Sequence, residues 1–225
     1  MKNLNAKAWL ALALVSAVMA LLLFVPAGTL HYWQAWVYVG VFVGASVLTT
    51  LDLSRKDPAL LERRMKGGPT AETQPTQKLI MLGLSICFIA LLVVPALDHR
   101  FGWSAVPVGG VVAGDVLVAI GFFLISLVYR ANTFTSATIE VAENQKVVST
   151  GPYALVRHPM YASAILYLVG TPLALGSYWG LVPVGAIFPL LIWRLLAEER
   201  FLAKNLAGYT DYQKRVRYHL VPFVW

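Results

Sequence analysis

Long apolar runs alternate along this chain with short polar ones, and the polar stretches carry nearly every charge. Residues 8–30, residues 32–51, residues 79–97, and a run starting near residues 107–110 and ending at 129 each hold about the 20 residues that a helix needs to cross a bilayer core. Residues 160–193 are uncharged throughout. As one helix they would be about 51 Å long, against a hydrocarbon core of about 30 Å. The run therefore predicts a tight helical hairpin, broken at Gly176-Ser177-Tyr178-Trp179-Gly180. Residues 52–78 are polar, with a short helix expected over 58–66, and residues 130–150 form a second polar loop. After Arg194, residues Phe201, Leu202, Leu206, Tyr209, Tyr212 and Val216 recur at roughly helical spacing among Lys and Arg. That pattern predicts an amphipathic helix lying on the membrane surface. The fold class is all-α: a polytopic integral membrane protein with about six transmembrane helices.

Charge adds orientation to this outline. Charged residues make up 13% of the 225, about half the usual share. With six spans, all of the 18 Lys and Arg except Arg100 fall on one side, beginning with Lys2 and Lys7. The positive-inside rule makes that side cytoplasmic, with both termini. The net charge of +7 is thereby explained by an anionic bilayer, and nucleic acid is not expected as a partner. In a bacterium this would be the inner membrane. The first run is too long for a signal peptide's apolar core. A single cysteine, Cys87, excludes an intrachain disulfide and predicts a buried, inert thiol. Gly40 and Gly44 form a GxxxG face that permits close packing or a homodimer. Asp115 falls near the start of the fourth span, where a helix dipole stabilises a carboxylate. His31, His99 and His219 lack metal-ligand spacing and are read as interfacial; no metal site is expected.

The candidate chemistry is concentrated in Gly151-Pro152-Tyr153-Ala154-Leu155-Val156-Arg157-His158-Pro159-Met160-Tyr161. Proline biases the residue before it away from helix, so His158 is expected to be extended and Pro159 to open a helix. Arg157 and His158 then flank a helix mouth whose free N–H groups suit an anion. The hairpin returns the chain to the same face at Arg194, Glu198 and Glu199. Two adjacent carboxylates there can hold a cation, while Arg and His orient an anion. The simpler alternative is an Arg194–Glu198 pair, four residues apart on one helix.

These residues also carry a resemblance. Gly151-Pro152-Tyr153, then Val156-Arg157-His158-Pro159-Met160-Tyr161, a hydrophobic hairpin, and Arg194 with Glu198-Glu199 resemble the isoprenylcysteine carboxyl methyltransferase family, related to the membrane phospholipid N-methyltransferases. The ending, Leu206-Ala207-Gly208-Tyr209 and Tyr212-Gln213-Lys214-Arg215-Val216, is similar as well, so the likeness runs over about residues 132–222. It implies residues 101–225 as the methyltransferase-like core and residues 1–100 as three preceding helices and a loop. It implies S-adenosylmethionine as cofactor, held by Tyr153, Arg157, His158, Pro159, Tyr161, Glu198 and Glu199. It further implies a lipophilic or prenylated acceptor entering from the membrane lipids, with Arg194, Glu198 and Asn132 at the reacting end. Ser163 stands where relatives commonly have Gly. A phospholipid or lipid-amine N-methyltransferase is an alternative. An NADPH-dependent sterol or enone reductase is another, but its 2′-phosphate site calls for extra basic residues where Glu198 and Glu199 stand. A transporter would keep its polar groups near the bilayer midplane.

Overall fold

The structure, a computed structural model, describes residues 2–225, with side chains from Leu4 onward. Lys2, one of the basic residues assigned to the cytoplasmic face, has its side chain outside the described residues. Eight α-helices follow in order: α1 Lys2–Ala27, α2 Trp33–Lys56, α3 Pro58–Met65, α4 Pro75–Phe101, α5 Val108–Ala131, α6 Pro159–Ala174, α7 Leu181–Asn205 and α8 Tyr209–Arg215. A 3₁₀ turn, Gly151–Ala154, precedes α6, and no strand occurs among the described residues. Prolines set several starts. Asp57 caps α3 by accepting the Leu60 amide at 2.9 Å with Pro58 as its first residue, and Pro75 and Pro159 open α4 and α6.

This is the architecture of a polytopic membrane protein. Five helices (α1, α2, α4, α5 and α7) are long and apolar enough to cross a bilayer, where the sequence suggests six. The difference is α6. It stops at Ala174 after 16 residues, because the chain turns at Gly176, and 16 residues rise only about 24 Å. The break falls at the glycine-bounded turn expected, but the tight pairing is with another partner. α6 packs most extensively along α5, far more than along α7. Glycines explain this: a Cβ on Gly114 would run into the backbone of Ala174, and one on Gly170 would lie 2.7 Å from the Gly114 carbonyl. A Cβ on Gly40 or Gly44, by contrast, would meet open space among the described residues.

Other expectations are redrawn. Asp98, His99 and Arg100, beyond the third apolar run, continue α4 as its last turn. Asp98 is buried there and accepts the Ser104 amide at 2.7 Å and the hydroxyls of Ser104 and Ser177 at 2.5 Å. This fastens α4 to the α6–α7 turn at the end of the bundle remote from the cavity. His99 stacks on Tyr32 at 4.0 Å, and the Tyr32 hydroxyl donates to Leu175 O at 2.6 Å. Asp115 lies in the third turn of α5, too deep for the dipole, and is buried. The core runs through Met19, Leu23, Tyr38, Leu91, Leu92, Val118, Leu168 and Ile187, with Cys87 packed at its edge.

The tail is the largest revision. α7 continues straight past Arg194 to Asn205, and Gly208, at φ +82°, turns the chain before the short α8. Leu206, Tyr209, Tyr212 and Val216 are buried together against Val141, Val147 and Tyr153. The apolar stripe of the tail faces protein here. It is used to cover the loops before α6.

Candidate active site

His158 ends the extended stretch and Pro159 starts α6, as the Arg-His-Pro order requires. The backbone amides beside that helix mouth are not free. Arg157 N donates to Tyr218 O at 2.8 Å and His158 N to His219 O at 3.0 Å, so the tail is strapped across residues 157–158. Tyr212 fastens the strap further by donating its hydroxyl to Tyr153 O at 2.8 Å.

The Arg157 and His158 side chains converge on one internal carboxylate instead of an open anion site. Glu199 Oε1 lies 2.7 Å from Arg157 Nε and 3.0 Å from His158 Nε2; its Oε2 lies 3.2 Å from His219 Nε2. Arg157 and His219 also touch each other. Glu199, 8% exposed, therefore frames the site from behind and is not among the residues lining the cavity. Burial and the nearby Arg157 and His158 hold the His219 imidazole below its usual range, while Glu199 opposes them.

In front of this frame is a cavity of about 450 Å³, a size typical of small-molecule sites. Of the nine residues expected to form the site, Asn132, Tyr153, Arg157, His158, Pro159, Tyr161, Arg194 and Glu198 line the cavity, and Glu199 stands behind it. Glu198 points forward and accepts the Tyr161 hydroxyl at 2.7 Å. It forms no ion pair among the described residues, so the simple Arg194–Glu198 pairing does not occur. Asn132 closes the end of α5. Its amide donates to the Tyr153 hydroxyl oxygen at 3.2 Å, and its carbonyl accepts the Phe134 amide at 2.9 Å. Burial pushes the Tyr153 phenol up to about 12. The Tyr209 hydroxyl, buried at the cavity wall, has no partner among the described residues, and burial followed by the two glutamates raises its pKa. Ser163 turns its hydroxyl back onto Pro159 O at 2.7 Å and does not line the cavity.

Several residues of the site escaped sequence reading. Arg194 is not free: Glu72 lies 2.7 Å from its Nη2, and Gln77 and the Ala137 carbonyl accept from it at 3.0 Å. Arg64 lines the cavity, donates to Ser136 O at 2.7 Å and lies 5.5 Å from the Tyr129 ring centroid. His219, read as interfacial, belongs to the Glu199 cluster. Its position seven residues after Tyr212 carried no signal, and Glu72 and Gln77 fall in no pattern at all.

The cavity has two characters. Tyr153, Arg157, Glu198 and Tyr209 form a polar end; Met81, Leu84, Ile125, Ala164 and Leu191 continue it between α4, α5, α6 and α7. Comparison with known proteins covers part of the chain that builds it. The phospholipid methyltransferase family matches residues 110–208. Protein-S-isoprenylcysteine O-methyltransferase B of Arabidopsis thaliana is 31% identical over 121 residues, covering 49% of this chain and 58% of that protein. Protein-S-isoprenylcysteine O-methyltransferase of Schizosaccharomyces pombe is 28% identical over 112 residues, covering 44% and 46%. The cobalt-zinc-cadmium resistance protein CzcN of Cupriavidus metallidurans is 26% identical over 107 residues, covering 47% and 50%. The chain thus spans about half the length of the curated relatives it matches. Through residues 110–208 the chain is similar to the phospholipid methyltransferase family, and over about half its length to protein-S-isoprenylcysteine O-methyltransferases.

Proposed function

We propose that this protein transfers the methyl group of S-adenosylmethionine to the carboxylate of a lipophilic, prenylcysteine-like acceptor at the cytoplasmic face of a membrane. The observation that carries the reading is the two-ended cavity, polar beside Arg157 and Glu198 and apolar beside Met81, Leu84 and Leu191. One end suits a small charged cofactor, the other a hydrocarbon chain. We take α6, short as it is, as the fifth of six crossings, which puts the basic loops and this cavity on the cytoplasmic side.

The residues present fit the cofactor. Among the described residues, Glu198 is a carboxylate without a cation partner and the Tyr209 hydroxyl is buried without a partner. A ligand with a cationic centre and ribose hydroxyls answers both. When bound, S-adenosylmethionine supplies a methyl group activated by its sulfonium. Tyr153 stays neutral at physiological pH; because Asn132 donates to its oxygen, its own proton is available to the ligand. Arg157 and His158, held on Glu199, form a rigid wall, and the tail strap shields it from water. Arg194, at the junction of the two ends, directs N–H groups toward an acceptor carboxylate, which is ionised already and needs no base. A lipid amine is the second acceptor reading, supported by the phospholipid methyltransferase match and by the carboxylate of Glu198.

Calorimetric titration of S-adenosylmethionine, S-adenosylhomocysteine and NADPH into the protein in nanodiscs tests the reading. Binding of the first two, weakened about tenfold by Glu198→Gln, is expected. Binding of NADPH alone would reject it. Labelled methyl transfer to S-farnesylcysteine or to phosphatidylethanolamine then separates the two acceptors.

A further inference from the structure

Arg194 stands between the two ends of the cavity. Leu191, one turn earlier on α7, lines the apolar end, and Glu198, one turn later, lines the polar end. Arg194 is 6% exposed. A guanidinium at that depth is strongly unfavourable unless it is paired and hydrogen-bonded. The partner comes from the connection between α3 and α4: Glu72, 4% exposed, at 2.7 Å from Nη2. Gln77 takes Nη1 and the Ala137 carbonyl takes Nη2, each at 3.0 Å. Two of the five N–H donors are used by Gln77 and the Ala137 carbonyl, and Glu72 adds its charge beside Nη2. The others belong to a side chain that lines the cavity.

The same carboxylate reaches a second part of the cavity. Glu72 Oε2 accepts the Ile139 amide at 3.5 Å, while Arg64 holds Ser136 O and Arg63 holds Thr133 O. The wall formed by residues 134–139 is therefore pinned by α3, by Glu72 and by Arg194 together. None of α3, Glu72 or Gln77 lies within residues 110–208.

We propose that Glu72 is the positioning residue for acceptor recognition, aiming Arg194 at the acceptor carboxylate and anchoring the 134–139 wall. The inference rests on the acceptor-carboxylate reading given above. Cancelling the charge of Arg194 lets the empty cavity stand without an anion. Recognition then comes from directed N–H groups, which a carboxylate satisfies and a neutral carboxamide satisfies poorly. The connection between α2 and α4 thereby becomes part of the acceptor site.

The test compares binding of S-farnesylcysteine with binding of its carboxamide to the full protein in nanodiscs, alongside S-adenosylhomocysteine. The unaltered protein is expected to prefer the carboxylate by about tenfold. Glu72→Gln should lose that preference while S-adenosylhomocysteine binding is unchanged, and Glu72→Asp should retain part of it. An undiminished preference in Glu72→Gln overturns the proposal. So does the absence of any preference in the unaltered protein, or loss of S-adenosylhomocysteine binding in a folded Glu72→Gln, which would mean a general structural role. If Glu72→Gln does not fold, Glu72→Asp decides: a reduced preference supports the proposal and a full one overturns it. Failure of the unaltered protein to bind S-adenosylhomocysteine rejects the cofactor reading instead, and the carboxylate preference still decides the role of Glu72.

Discussion

Two buried arginine–glutamate pairs border the cavity, each closed at 2.7 Å, and they are assembled in opposite ways. Arg157–Glu199 is built wholly from the last third of the chain, with His158 and His219 completing it and the tail backbone strapped alongside. Arg194–Glu72 joins α7 to a loop more than a hundred residues earlier, outside the family-matched region. The first is a self-contained frame for the polar end. The second makes the junction with the apolar end depend on the N-terminal half of the molecule. The two ends of the cavity therefore rest on different parts of the chain.

The comparison is broken most forcefully at Glu199. Glu199→Gln leaves Arg157 buried without its counter-charge, an expected loss of about 3 kcal/mol or more. Thermal unfolding in nanodiscs should show the loss together with that of S-adenosylhomocysteine binding. Retained stability would mean that the cluster is not the frame described. A milder change is expected from Tyr161→Phe, which removes one hydroxyl from Glu198. Cofactor affinity should fall by about 1 kcal/mol, a few-fold in Kd, with acceptor preference untouched. If acceptor preference moves instead, the two ends of the cavity are not separable.

The smallest effect is a pH slope. His219 is depressed in the folded protein, chiefly by burial, so the unfolded chain takes up this proton first as the pH falls below about 6.5. Stability is therefore lost toward acid, across the window between that value and the lowered folded one, and is fully present above it. Melting temperatures measured from pH 7.5 to 5.5 should decline less in His219→Gln. Equal slopes would remove His219 from the account.

Much of the site was legible because membrane crossings are simple geometry. Once the run over residues 160–193 had to turn back, Glu198 and Glu199 had to return to the face that carries Arg157 and His158. Proline at 159 likewise dictated where α6 begins. What each carboxylate would touch was not legible. Adjacent residues on a helix point about 100° apart, and only the packing of α6 and the tail shows that Glu199 turns inward and Glu198 toward the cavity. The i, i+4 spacing of Arg194 and Glu198 looked like a pair, yet a better-buried partner arrived from another loop.

The tail makes the same point. Leu206, Tyr209, Tyr212 and Val216 form an apolar stripe that suits a membrane surface or a protein surface equally well. Gly208 and the loops before α6 decided for protein.

By itself, then, the sequence determined the all-helical membrane architecture, the approximate helix boundaries and the gathering of the Arg-His-Pro stretch with the glutamate pair. Those follow from hydrophobic length, proline geometry and charge placement, which act locally along the chain. Only the tertiary structure decided that α6 clasps α5, that the tail straps the site, and that Glu72 and Gln77 hold Arg194. Those depend on which groups meet in space, where close contact and the need to pair a buried charge select partners that no spacing along the chain records.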